Sequence, residues 1–205
     1  MSRDATKRRP VLERLTSVAR SDIARSSAVR AISLVGTTAS SAVLISSLSA
    51  RDLGFYFTLF TVGYIANAAF GVGLDQRLQQ AYLPLLRDRA FPSCHFFRAS
   101  GGYVAAAAVV AAAAMPWVGV GTATVLLGLT ASTFLLTTSR AFNMMRDEQS
   151  TLNAMVLVEG LGKPILLIAC LALPVDEPFL AAIAAYAMTQ AAAAMLGLVR
   201  LTRRT

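Results

Sequence analysis

The chain has 205 residues, of which 56% are hydrophobic and only 15% charged, with a mean hydropathy of +0.59 and a formal net charge of +8. A soluble domain of this size cannot bury so much apolar side chain, and alternating strand patterns are missing, so the composition excludes a water-soluble core and a β-rich fold alike. The excess of arginine has no interleaved aromatic–basic motif beside it, which excludes a nucleic-acid module and leaves no nucleic acid among the expected partners.

Taken in chain order, the first thirty residues carry Arg3, Lys7, Arg8, Arg9, Arg14, Arg20, Arg25 and Arg30. Leu12, Leu15, Val18, Ala19 and Ile23 recur there at helical spacing opposite Arg14, Ser17 and Arg20. Two readings stand: an interfacial helix on the inner leaflet, or a frayed basic tail. Six apolar stretches follow, expected as spans at about 31–49, 55–74, 101–119, 122–139, 151–173 and 179–199. Each matches the roughly 20 residues a helix needs to cross a hydrocarbon core of about 30 Å. Ser47, Leu48, Ser49 and Ala50 resemble a secretory cleavage site, but the long basic lead and the five further spans favour retention as an anchor.

The gaps between spans set the orientation. Arg77, Arg87, Arg89 and Arg98 precede span three, Arg140 and Arg146 precede span five, and Arg200, Arg203 and Arg204 follow span six, so 17 of 19 basic residues lie on one side. Arg51 alone occupies an opposite gap. By the positive-inside rule both termini are cytoplasmic. The expectation is an all-α polytopic membrane helix bundle with six transmembrane helices: residues 1–30 a cytoplasmic basic segment, 31–199 the six-helix lobe and 200–205 a cytoplasmic tail. Phe55 to Phe57, Trp117, Phe96, Phe97 and Tyr103 fall where an interfacial aromatic belt belongs. Pro116, Pro174 and Pro178 mark short outer turns, and the cytoplasmic loop around 75–100 has room for a short helix near Leu78–Leu86.

Polar residues inside the spans carry the functional expectations, because each is costly in lipid unless it faces protein or water. Glu159 and Lys163 stand one turn apart in span five and share a face. Each alone at the centre of an inserted helix would cost about 2.5 to 3.5 kcal/mol. They either line a translocation cavity or form an internal pair that fixes packing. Gly160, Gly162 and Pro164 weaken the same helix and predict a hinge or binding notch. Tyr64 and Asn67, with Thr61, form a mildly polar stripe in span two, and Thr130, Thr133 and Thr137 another in span four. Tyr186, Thr189 and Gln190 sit near mid-depth in span six. Tyr64, Asn67 and Gln190 join Lys163 and Glu159 as candidate substrate or ion contacts, beside the plainer expectation of hydrogen bonds between helices. The alanine runs 105–108, 111–114 and 191–194 are expected as packing surface.

Enzyme signatures are absent from the sequence. His95 is the only histidine, and no phosphate-cradling loop or nucleophile elbow occurs, so no catalytic residue, metal or cofactor is expected. Cys94 and Cys170 belong to a loop and to a span, and are expected as unpaired thiols.

Several short motifs carry a family resemblance. A Ser/Thr-rich first span leads to Leu48, Ser49, Ala50, Arg51, Asp52, Leu53, Gly54, Phe55, Tyr56 and Phe57. Span two closes on Gly71, Val72, Gly73, Leu74, Asp75, Gln76 and Arg77, and Arg140, Ala141, Phe142 and Asn143 follow span four. In these the chain resembles the polysaccharide and O-antigen flippases of the multidrug, oligosaccharidyl-lipid and polysaccharide exporter superfamily. It departs from their pattern where Phe55 to Phe57 replace an acidic residue and a glycine, and in having six spans. The resemblance implies one six-helix lobe in a bacterial inner membrane, translocating lipid-linked oligosaccharide by alternating access, as a homodimer or with a second lobe. Membrane lipids are the other implied partner. A non-transporting scaffold or accessory subunit and a small-molecule efflux protein are the alternatives.

Overall fold

The computed structural model describes residues 5–71, 80 and 93–203, with side chains over 23–68, 80 and 100–202. Within them the protein is built of six helices and no strand: α1 Ala5–Ser47, α2 Ala50–Gly71, α3 Ser93–Val118, α4 Val120–Met145, α5 Gln149–Leu171 and α6 Pro178–Arg203. The expected helix near Leu78–Leu86, the loop arginines Arg77, Arg87, Arg89 and Arg98, and Cys94, His95, Phe96 and Phe97 lie outside the described side chains.

Five helices are long and apolar enough to cross a membrane, over Ile23–Ser47, Ser100–Val118, Val120–Met145, Gln149–Leu171 and Pro178–Thr202. Arg51, Asp52 and Asn67 dilute the described part of α2, which falls short of that standard. The outer surface agrees with a multi-pass membrane protein. Leu34, Val35, Ile45, Ile65, Val109 and Ile165 are each more than 60% exposed, an apolar coat that water would not tolerate and lipid would. Hydroxyls on this coat satisfy themselves: Thr37, Thr38, Ser41, Thr58 and Thr61 each donate to the carbonyl one turn back, at 2.8–3.1 Å.

α1 merges the expected basic lead and first span in a single unbroken helix of 43 residues. At 1.5 Å per residue it is about 65 Å long, twice the thickness of a hydrocarbon core. Ser49 then caps α2: its Oγ accepts the Asp52 amide at 3.2 Å and donates to Asp52 Oδ2 at 2.6 Å. Pro116 sits inside α3 rather than in the turn, which is made instead by Gly119 at φ 82°, a conformation open to glycine. Pro178 opens α6 at the first helical position, where its missing N–H costs nothing.

The described connections fall at two ends. The turns at Ser49–Phe55, Trp117–Thr122 and Asp176–Phe179 meet around one cavity at one end. At the other, Gln149 and Asn153 donate to Ser26 Oγ at 3.1 and 3.3 Å, and Arg146 donates to the Leu201 carbonyl at 3.1 Å. α6 is central: it packs broadly on α4 and α5, α1 lies on α5, and α3 lies on α4. Leu44, Leu48, Tyr56, Leu129, Leu167 and Ile183 fill the first half, and Tyr103, Phe134, Phe142, Leu198 and Leu201 the second. The alanine runs divide. Ala193 and Ala194 are fully buried in the core, whereas among 105–108 and 111–114 only Ala107 is buried and half are exposed.

Candidate functional site

Glu159 and Lys163 do share a face of α5, and that face meets both α4 and α6. Lys163 Nζ donates to Glu159 Oε1 at 3.0 Å, while Arg140 of α4 pairs with the other carboxylate oxygen, Oε2. One carboxylate is thus shared by two cations on neighbouring helices. From α6, Tyr186 completes the group: its hydroxyl accepts from Lys163 at 3.3 Å, and its ring centroid lies 4.4 Å from the same ammonium. The side chains of Glu159 and Lys163 are 14% and 13% exposed and that of Arg140 36%, so the network is enclosed on the α5–α6 side and opens toward Arg140.

The network carries one net positive charge, two cations against one carboxylate. Bringing three charges out of water is tolerable because each is paired and hydrogen-bonded. It leaves Lys163 with a second exposure, into a cavity of about 270 Å³ between α1, α2, α5 and α6. Thr37, Ser40 and Ser41 of α1 give this space one hydroxyl-bearing wall, and Leu44, Phe57, Phe60 and Leu167 give it apolar ones. The lining combines a cation and hydroxyls with hydrocarbon, which suits an anionic or polar group attached to an apolar chain.

The other expected contacts separate. Tyr64 is exposed on α2 and borders a groove shared with Phe60 and Tyr186, so it extends the same face inward. Asn67 is engaged elsewhere: Tyr103 of α3 donates to its Oδ1 at 2.9 Å and stacks on Phe134 at 3.8 Å between centroids. Gln190 is buried, and its Oε1 accepts from Thr133 at 2.8 Å and Ser132 at 3.1 Å, joining α6 to α4. Thr189, Thr130 and Thr137 each donate to a carbonyl of their own helix.

The three residues expected to bend α5 lie within a continuous helix. Gly160 faces α1, where a Cβ would fall on Ser33, and a Cβ on Gly36 would fall on the Gly160 carbonyl. Pro164 has no N–H to offer that carbonyl, so the one α5 carbonyl freed by proline is the one pointing at Gly36. Gly162 faces α6, and a Cβ there would lie 3.0 Å from Thr189 Cγ2. Both glycines therefore mark close helix crossings on either side of the charged pair.

Arg140 is not among the contacts expected from sequence, where span four ends at 139 and this arginine is one of the charges in the following gap. The helix runs on to Met145, so Arg140 belongs to α4 and reaches inward. Its spacing from Glu159 gives no signal in sequence, because the pairing depends on how α4 and α5 cross. Cys170 is a half-buried free thiol on α5, and among the described residues no three metal-ligating side chains gather. The chain matches no protein-family profile, no curated protein and no solved structure.

Proposed function

We propose that this protein is a transporter-like membrane protein that moves lipid-linked oligosaccharide across a bacterial inner membrane for surface polysaccharide synthesis. In this reading all six helices span the bilayer with both termini in the cytoplasm. The observation that carries it is the Arg140–Glu159–Lys163 network, set within helices long and apolar enough to cross a membrane and beside a cavity of mixed hydroxyl and apolar lining. Ionisable groups inside a bilayer are rare and expensive, and they concentrate on substrate pathways. The net cationic charge suits a diphosphate. Lys163 contacts it, Glu159 balances the two cations when the site is empty, and Arg140 holds Glu159 in place. The flippase-like motifs support the substrate class, and pairing with a second copy or lobe would close the cavity's open side.

Replacing Lys163 by alanine tests this. Glycan export should fall to background while the protein still inserts at normal abundance; full export by Lys163→Ala would remove the lysine from the mechanism. A second reading, a non-transporting scaffold, is favoured by one observation: both Glu159 oxygens already have protein partners. Under that reading Lys163→Ala lowers abundance, and replacing Glu159 and Lys163 together by apolar residues restores it.

A further inference from the structure

α1 and α2 are joined by a tight turn at Leu48 and Ser49, yet they pack on different partners, α1 on α5 and α2 on α4 and α6. They therefore diverge from the turn and leave a cleft between them, floored by Lys163 and Leu167 of α5 and Ala182 and Tyr186 of α6. Its rims, Ile45 and Phe57, are more than half exposed on the apolar coat of the bundle, so the cleft opens sideways toward the bilayer and not only toward its ends. At its floor stands an ammonium 13% exposed, in a network with one net positive charge, beside the Tyr186 hydroxyl and the buried Ser40. A lateral opening with hydrocarbon rims and a cationic floor is complementary to one kind of molecule, a membrane lipid with an anionic head.

We infer that the α1–α2 cleft is a binding site for an anionic phospholipid. Its phosphate sits against Lys163 and Tyr186, and an acyl chain leaves between Ile45 and Phe57. Phosphate oxygens accept charge-assisted hydrogen bonds from the lysine, which still reaches Glu159 from its other side. The lipid is the resting occupant, which a lipid-linked oligosaccharide would displace. The inference rests on the same cavity, the same lysine and the same placement of these helices in a bilayer as the proposed function, but not on transport.

The test is retention of lipid by the full-length protein purified from nanodiscs of mixed phosphatidylcholine and phosphatidylglycerol, counted by native mass spectrometry. One phosphatidylglycerol per chain should be retained in preference to phosphatidylcholine. Lys163→Gln should reduce that retention about tenfold, the scale of one lost charge-assisted contact. Ser41→Phe, which fills the cleft without touching the charged network, should do the same with an unchanged melting midpoint, and it decides the matter if Lys163→Gln fails to fold. Equal retention of the two lipids, or undiminished phosphatidylglycerol in the Ser41→Phe protein, would overturn the inference. So would displacement of the lipid by inorganic phosphate, which would make the site one for free anions. A chain that retains phosphatidylglycerol but exports no glycan would end the transport proposal and leave the lipid site standing, and export without lipid retention would do the reverse.

Discussion

Glu159 is the residue on which the charged network turns, because both Arg140 and Lys163 depend on it. Removing a cation leaves the carboxylate one partner, whereas Glu159→Gln leaves two cations side by side without a counter-charge. Breaking a buried pair by deleting its shared partner costs about 3 to 5 kcal/mol. Lys163→Met should cost less, and Arg140→Gln least, since Arg140 is over a third exposed and can reach the interface. Reversible unfolding in mixed micelles should rank the three variants in that order; a Glu159→Gln protein as stable as the parent would show that the network does not hold the helices. At this scale the sequence was informative where a charge interrupts an apolar run, as at Glu159 and Lys163. It could not reveal which polar residues find partners. Asn67 and Gln190 read either as candidate substrate contacts or as hydrogen bonds between helices, and the fold pairs them across helices with Tyr103 and with Ser132 and Thr133.

At the scale of elements, α5 is held between α1 and α6 by two glycines on opposite faces. The sequence showed the glycines and Pro164 but not their use, since a weakened stretch and a close crossing have the same composition. The geometry separates them. Gly160→Ala or Gly36→Ala would force α1 away from α5, an overpacking change of about 1 to 3 kcal/mol. Gly162→Ala meets only the tip of Thr189, so it should be milder, and Thr189→Ser, which removes the methyl, should relieve it. Unfolding measurements on these four proteins would check the ranking, and a Gly160→Ala protein that is unperturbed would contradict the crossing. The alanine runs teach the same lesson from the other side. Alanine permits close approach but does not direct it, so Ala193 and Ala194 are core while half of the alanines in the α3 runs are exposed.

Over the whole molecule, long apolar stretches were legible because length and hydropathy together admit few other uses, and five of them stand as helices able to cross a membrane. The weaker sixth, α2, begins with Arg51 and Asp52 and carries Asn67, which is why composition alone does not settle it. Helix junctions were less legible. The first expected boundary vanished into a 43-residue helix, since neither glycine nor proline falls between Val11 and Val35 to stop one, and the α3–α4 turn depended on a single glycine. The two ends of the bundle differ in charge in the sense the proposed orientation requires: Asp52, Asp176 and Glu177 with Arg51 at one, and Arg25, Arg30, Arg146 and Arg200 with Asp147 and Glu148 toward the other.

That arrangement can be measured directly by labelling single cysteines with a membrane-impermeant maleimide in intact cells, in a background of Cys94→Ser and Cys170→Ala. Asp176→Cys and Arg51→Cys should react from outside, while Gln149→Cys and Thr202→Cys should react only after the membrane is opened. Outside labelling at Gln149→Cys or Thr202→Cys, or protection at Asp176→Cys, would contradict the proposed six-span orientation, and labelling of Gln149→Cys and Asp176→Cys from the same side would take Lys163 out of the bilayer.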